Sequence, residues 1–199
     1  MKVILDFNGL ALRCFYSSIS EGTIVGADSN NYPRWELGLK KLMDRYVIPL
    51  VGTPAHPNIA PIDIIAVLDK GTALRSAIYP KYHQKRKHAS DHLDWVHSKQ
   101  KEQLLKSAER LLKYMGVLFM YVEGQEADDV IAHITEGLRK DEAISIYTVD
   151  SDLIQLATLE NVEVICRDIK YSIKGPATVY EDVPIQNLAL YKALVGDTS

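Results

Sequence analysis

A chain of 199 residues, 47% hydrophobic and 25% charged, has enough apolar material for one α/β domain and too much for global disorder. No segment supplies the roughly 18 uninterrupted apolar residues of a membrane span, and Asp6 and Asn8 break the apolar run at the start, which argues against a signal peptide and for the cytoplasm. A formal charge of −3 would disfavour a nucleic-acid ligand if it were evenly spread, but Lys70–Ser90 contains no acid at all.

In chain order, apolar β-type runs are expected at about 2–7, 62–69, 116–122, 143–149 and 162–167. Helical spacing fills much of the intervals. Trp35, Leu39, Leu42, Met43 and Tyr46 mark a stripe over 35–50. Leu104, Leu105, Ala108, Leu111, Leu112 and Met115 mark 98–115, and Val130, Ile131, Ile134 and Leu138 mark 127–139. Pro49, Pro54, Pro57 and Pro61 puncture the loop before the second strand. Strands alternating with helices predict a three-layer α/β fold, its central sheet mostly parallel with helices on both faces. The segment 70–97 is long for a βα connection and reads as a basic flap or arch. Cys14 and Cys166 form no C-x-x-C pair and are expected to be buried thiols in a reducing compartment.

Eight carboxylates fall where such a sheet would gather them at one edge: Asp6, Asp69, Glu126, Asp128, Asp129, Asp150, Asp152 and Asp197. KVILD, IDIIAVLD and AISIYTVD each close on an acid, Asp6, Asp69 and Asp150. Glu126, Asp128 and Asp129 open the third helix, where one acid would suffice to cap it. Like charges this close need a counter-charge, and two hard divalent cations would supply it. Calcium-loop spacing and His/Cys zinc spacing are absent, so oxygen-preferring Mg²⁺ or Mn²⁺ is expected. Neither phosphate-cradling glycine motif nor a G-x-S-x-G elbow occurs.

The complementary half is basic and aromatic: Arg75, Tyr79, Lys81, Tyr82, His83, Lys85, Arg86 and Lys87. Cationic side chains neutralise phosphates and tyrosine faces stack on unpaired bases, so DNA is the expected partner.

The string Glu126-Ala127-Asp128-Asp129 after Val122-Glu123-Gly124, then Thr148-x-Asp150-x-Asp152-Leu153, resembles the 5′-nuclease superfamily. That superfamily comprises phage 5′-to-3′ exonucleases, the polymerase I nuclease domain and flap endonucleases. Leu68-Asp69, the spacing Arg75…Tyr79…Tyr82…Arg86 and the terminal Leu194-Val195-Gly196-Asp197 extend the likeness over essentially the whole chain, in phage style.

The resemblance implies a PIN-like domain over 1–199 with 70–97 as its arch. It implies a monomeric, Mg²⁺- or Mn²⁺-dependent two-metal nuclease acting on DNA 5′ ends, flaps or RNA–DNA primers. Asp6, Asp69, Glu126 and Asp128 match the acids of the first metal, and Asp150, Asp152 and Asp197 those of the second. Asp129 matches an auxiliary acid. Tyr82 and Arg86 match a stacking tyrosine and a phosphate-binding arginine. His83 stands where the family has a catalytic lysine; Lys85, Lys81 or protonated His83 are the candidates to replace it. The family's further acid and glycine-rich helix-hairpin-helix would follow Asp197, and the printed sequence lacks them. A DNA-binding module of this fold without turnover and a PIN-type ribonuclease are the competing readings. A phosphatase with Asp6 as nucleophile is opposed by Asn8.

Overall fold

The computed structural model describes residues 1–22, 34–51, 59–80, 95–175, 178–179 and 183–195. Strands β1 (Lys2–Asp6), β2 (Ile64–Val67), β3 (Leu118–Met120), β4 (Ile144–Thr148), β5 (Val162–Cys166) and β6 (Ile169–Ser172) form one sheet, ordered β3-β2-β1-β4-β5-β6. β1 to β5 are parallel and β6 alone runs antiparallel, against β5. The five predicted strands are all present, each one to four residues shorter than its expected run.

Alternation along each strand feeds two cores. Val3, Leu5, Ile64 and Ala66 face α1 (Phe7–Gly22), α2 (Arg34–Leu42), α3 (Ile48–Val51) and α5 (Trp95–Tyr114), packing on Phe7, Leu10, Phe15, Leu42, Leu50, Leu104 and Leu112. Ile4, Ile65, Val67, Ile144 and Ile146 face the opposite layer, where α6 (Ala127–Leu138) contributes Val130 and Ile131. That layer also receives Leu153 and Ile154 from a 3-10 helix, Ser151–Thr158, and Leu188 from α7 (Leu188–Val195). Helices therefore cover both faces, as expected.

The helix expected over 35–50 is present but interrupted by a π-helical turn, Met43–Val47. Pro49 has no N–H to give to the turn behind it, and such turns shift the helical register. α1 carries an unpredicted stripe, Phe7, Leu10, Ala11, Cys14 and Phe15, all buried. A small sheet of β7 (Thr178–Val179) and β8 (Val183–Pro184) lies outside the main one. Both cysteines are buried thiols, each pushed up to about 11 by burial. Among the described residues, no helix is long and apolar enough to cross a membrane.

Of the 70–97 arch, the structure describes a short helix, α4 (Ala73–Ile78), and the start of α5. The loops after β2 and β3 are stitched together beneath α4. Gly124 N–H donates to Lys70 O, Lys70 N–H to Gln125 O and Leu74 N–H to Gly124 O, each at 3.2 Å. Gly124 has φ +78°, and a Cβ there would meet Ala73 Cβ at 3.0 Å. Gly124→Ala combines left-handed strain with that contact, so it is expected to lower stability by about 1–2 kcal/mol. A shift of the urea midpoint at unchanged m measures it.

Candidate metal centre

Strand order reverses between β1 and β4: the chain leaves β1 toward β2 and β3, while β4 and β5 lie on the other side. At such a reversal the connections depart to opposite sides and leave a crevice beyond the carboxyl ends of the strands. Asp6 ends β1 at that point and Asp150 follows β4.

Thr148 joins them. Its hydroxyl donates to Asp6 Oδ2 at 2.7 Å and accepts the Asp150 N–H at 2.9 Å, using both roles of a hydroxyl across the strand reversal. Gly9 N–H approaches Asp6 Oδ1 at 3.4 Å, from the first turn of α1. Asp6 is only 8% exposed, and burial raises its carboxyl to about 6 despite the Thr148 and Gly9 bonds. Asp150 and Asp128 push it in the same direction, so these three acids share one field. Asp150 is also raised, first by burial, although it accepts the Asp152 N–H at 2.9 Å as N-cap of the 3-10 helix.

Glu126, Asp128 and Asp129 form the second half, with one oxygen of each lying within 4.8 Å of the others. Glu126 holds the N-cap position of α6 yet makes no capping bond. Its carboxylate turns to Arg75 instead, with Nη1 to Oε2 at 2.6 Å, while Arg75 Nη2 reaches Asp128 Oδ2 at 3.0 Å and Asp129 Oδ1 at 2.8 Å. Capping therefore does not explain Glu126; a demand for positive charge does. Carboxylate oxygens are the donors throughout this group, a hard set that fits Mg²⁺ or Mn²⁺.

The remaining expected residues are less tightly drawn in. Asp69 is exposed and accepts the Gly71 N–H at 3.0 Å, an Asx-type turn that holds it beside the β2 end. Asp152 pairs with Lys192 of α7, whose ammonium also donates to Ser151 Oγ at 2.9 Å. Tyr79 is 57% exposed at the end of α4. Lys81, Tyr82, His83, Lys85, Arg86, Lys87 and Asp197 lie outside the described residues.

The sequence marks Thr148 only as the first residue of the string Thr148-x-Asp150-x-Asp152, gives no role to Gly9 or Lys192, and places Arg75 on DNA rather than on the acids. Lys192 is the sole charge in the apolar run Leu188–Val195, which was the available signal. Gly9 carries no comparable mark, although Asp6 lies only three residues before it, and the bond from the Thr148 hydroxyl to Asp6 depends on a contact across the sheet.

Among solved structures, the fold is similar to a bacteriophage T5 flap endonuclease variant in complex with DNA and metal ions, at TM-score 0.69 and 17% identity over 98% of this chain and 66% of that one. It is also similar to the T5 5′-exonuclease with bound zinc, at TM-score 0.66 and 18% identity, with the same coverage of 98% and 66%. These likenesses establish the PIN-like fold. Two curated 5′-3′ exonucleases match by sequence. The one from Mycoplasma genitalium is 25% identical over 99% of this chain and 64% of its own length; that from Aquifex aeolicus is 29% identical over 98% and 61%. The chain thus spans less than two thirds of each relative. Residues 1–183 match the family described as 5′-3′ exonuclease, N-terminal resolvase-like domain, and with the acidic edge and PIN-like fold above, the chain belongs to that family within the 5′-nuclease superfamily.

Proposed function

We propose that the chain is a metal-dependent, structure-specific 5′-nuclease domain, hydrolysing phosphodiesters of DNA or of RNA primers near 5′ ends and flaps. The observation that carries this reading is the convergence of Asp6, Asp128 and Asp150 at the strand reversal, where Asp128 and Asp150 both raise the Asp6 carboxyl and Asp128 raises that of Asp150. Asp6, Asp69, Glu126 and Asp128 would hold one divalent cation; Asp150, Asp152 and Asp197 would hold a second, with Asp129 as auxiliary. The ions, when bound, supply a water made nucleophilic at neutral pH and positive charge for the leaving 3′ oxygen.

The protein's own part is placement and charge. Thr148 fixes the Asp6 carboxylate through a hydrogen bond, so the acid meets its ligand without reorganising. Arg86, with Lys85 and Lys81, offsets phosphate charge, and His83 adds to it when protonated. Tyr79 and Tyr82 offer ring faces to unpaired bases, and Lys87 and Arg75 neutralise the flanking backbone.

The test uses this chain, a 5′-labelled flap DNA and Mg²⁺. Cleavage with Mg²⁺ that stops on adding EDTA supports the reading. DNA binding without any turnover, at any Mg²⁺ or Mn²⁺ concentration, replaces it with a binding module. Preference for single-stranded RNA over the flap in direct competition replaces it with a PIN-type ribonuclease.

A further inference from the structure

We propose that Arg75 is a built-in counter-ion that a divalent cation must displace, so that metal loading loosens α4 from the loop between β3 and α6. The inference rests on the metal reading above and adds a coupling to it.

None of the residues of α4 is buried. Ile78 is 87% exposed and Leu74 53%, so apolar packing contributes little to its position. It is tied down at its amino end by the Leu74 N–H bond to Gly124 O and by the Arg75 guanidinium. That guanidinium spans Glu126, Asp128 and Asp129, all on the first turn of α6 or its N-cap. The same three carboxylates are the grouped donors of the candidate metal centre. A small hard cation needs those lone pairs bare and close, and a second positive charge within a few ångströms repels it. Arg75 and the metal therefore compete for one set of carboxylates.

Competition of this kind is reciprocal. Whatever free energy holds α4 down through Arg75 is subtracted from metal affinity, and metal binding returns the same amount as freedom of α4. The chain runs from α4 straight into Lys81–Lys87. A loaded centre thus frees Arg75 and α4 together, which makes the guanidinium available to a phosphate backbone.

The experiment is calorimetric titration of the DNA-free chain with MnCl₂ at fixed ionic strength, for wild type, Arg75→Gln and Arg75→Lys. Arg75→Gln is expected to bind Mn²⁺ about 5- to 150-fold more tightly, the usual span of such couplings. Arg75→Lys is expected to fall between, because lysine keeps the charge and loses the planar fork. Hydrogen exchange of amides 73–79 gives the independent readout: Mn²⁺ should speed it in wild type and leave it unchanged in Arg75→Gln. Equal or weaker Mn²⁺ binding by Arg75→Gln, or slower exchange in loaded wild type, overturns the inference. The wild-type exchange measurement stands even if a variant misfolds. Wild type that fails to bind Mn²⁺ overturns the metal reading itself, whereas wild type that binds beside an unchanged Arg75→Gln overturns this coupling alone.

Discussion

Asp6→Asn is expected to abolish metal-dependent cleavage and, in EDTA, to make the protein more stable at pH 7.5. The loss of turnover should exceed about 100-fold, the upper range for residues that merely support a metal ligand. The gain in stability follows from burial. The Asp6 carboxyl is raised to about 6, with desolvation as the first cause, against an ordinary value near 3.8. Between those two values the native protein holds a proton that the unfolded chain has released. Stability therefore falls as pH rises through that window, and above pH 6 the penalty is complete, on the order of 3 kcal/mol. Asparagine keeps an acceptor for Thr148 Oγ1 and carries no charge. The variant should exceed wild type by about 2–3 kcal/mol at pH 7.5 and converge with it near pH 4, as read from urea melts in EDTA. Added Mg²⁺ should then reverse the order, because only wild type retains the full ligand set and gains by mass action. Asp128→Asn is the control: Asp128 is part-exposed and already paired with Arg75, so cleavage is lost without the stability gain. An Asp6→Asn protein no more stable than wild type at pH 7.5 would show that the carboxylate carries no such burden.

How far the centre could be read from sequence follows from the range of its interactions. Strand-end acids were visible because a β-run has a local period and a local end, so Asp6 and Asp150 stood out. The same holds for the layering, since each strand alternates between two cores. Thr148 sits 142 residues from Asp6, and no local pattern announces their hydrogen bond. Arg75 looked like one more cation of a basic segment; only the fold brings it onto α6. Asp69 was grouped with the first metal by resemblance, yet its own turn at Gly71 holds it at the exposed rim. β6 escaped because its hairpin closes through Arg167 and Asp168, both at positive φ (51° and 73°), rather than through the usual Asn-Gly or Asp-Gly. Arg13 and Arg45 converge on Asp168 there, long-range ion pairs from α1 and the π-helical turn that pin an unfavourable turn.

Gly9→Ala puts the link between fold and centre to its hardest test, because its expected sign is the reverse of the usual one. In a helix, alanine in place of glycine ordinarily stabilises by about 0.5–1 kcal/mol. Here a Cβ would lie 2.6 Å from Asp6 Oδ2 and 3.1 Å from Val149 Cγ2. The carboxylate cannot swing away cheaply, because it is buried and bonded to Thr148. Either Asp6 leaves Thr148, stranding a buried hydroxyl and a charge, or α1 shifts against β1. Both routes cost about 1–3 kcal/mol, and both move the acid from its position at the strand reversal. Gly9→Ala is therefore expected to lower stability by that amount and cleavage by at least about tenfold. Combining it with Asp6→Ala isolates the cause. Once the carboxylate is gone, the 2.6 Å clash is relieved and only the Val149 Cγ2 contact at 3.1 Å remains, so Gly9→Ala should lose most of its cost. The coupling between the two substitutions should then be about 2–3 kcal/mol, within the range seen for residues in contact. Additive effects in that double-mutant cycle would mean that Gly9 is glycine for some reason other than the close approach of Asp6.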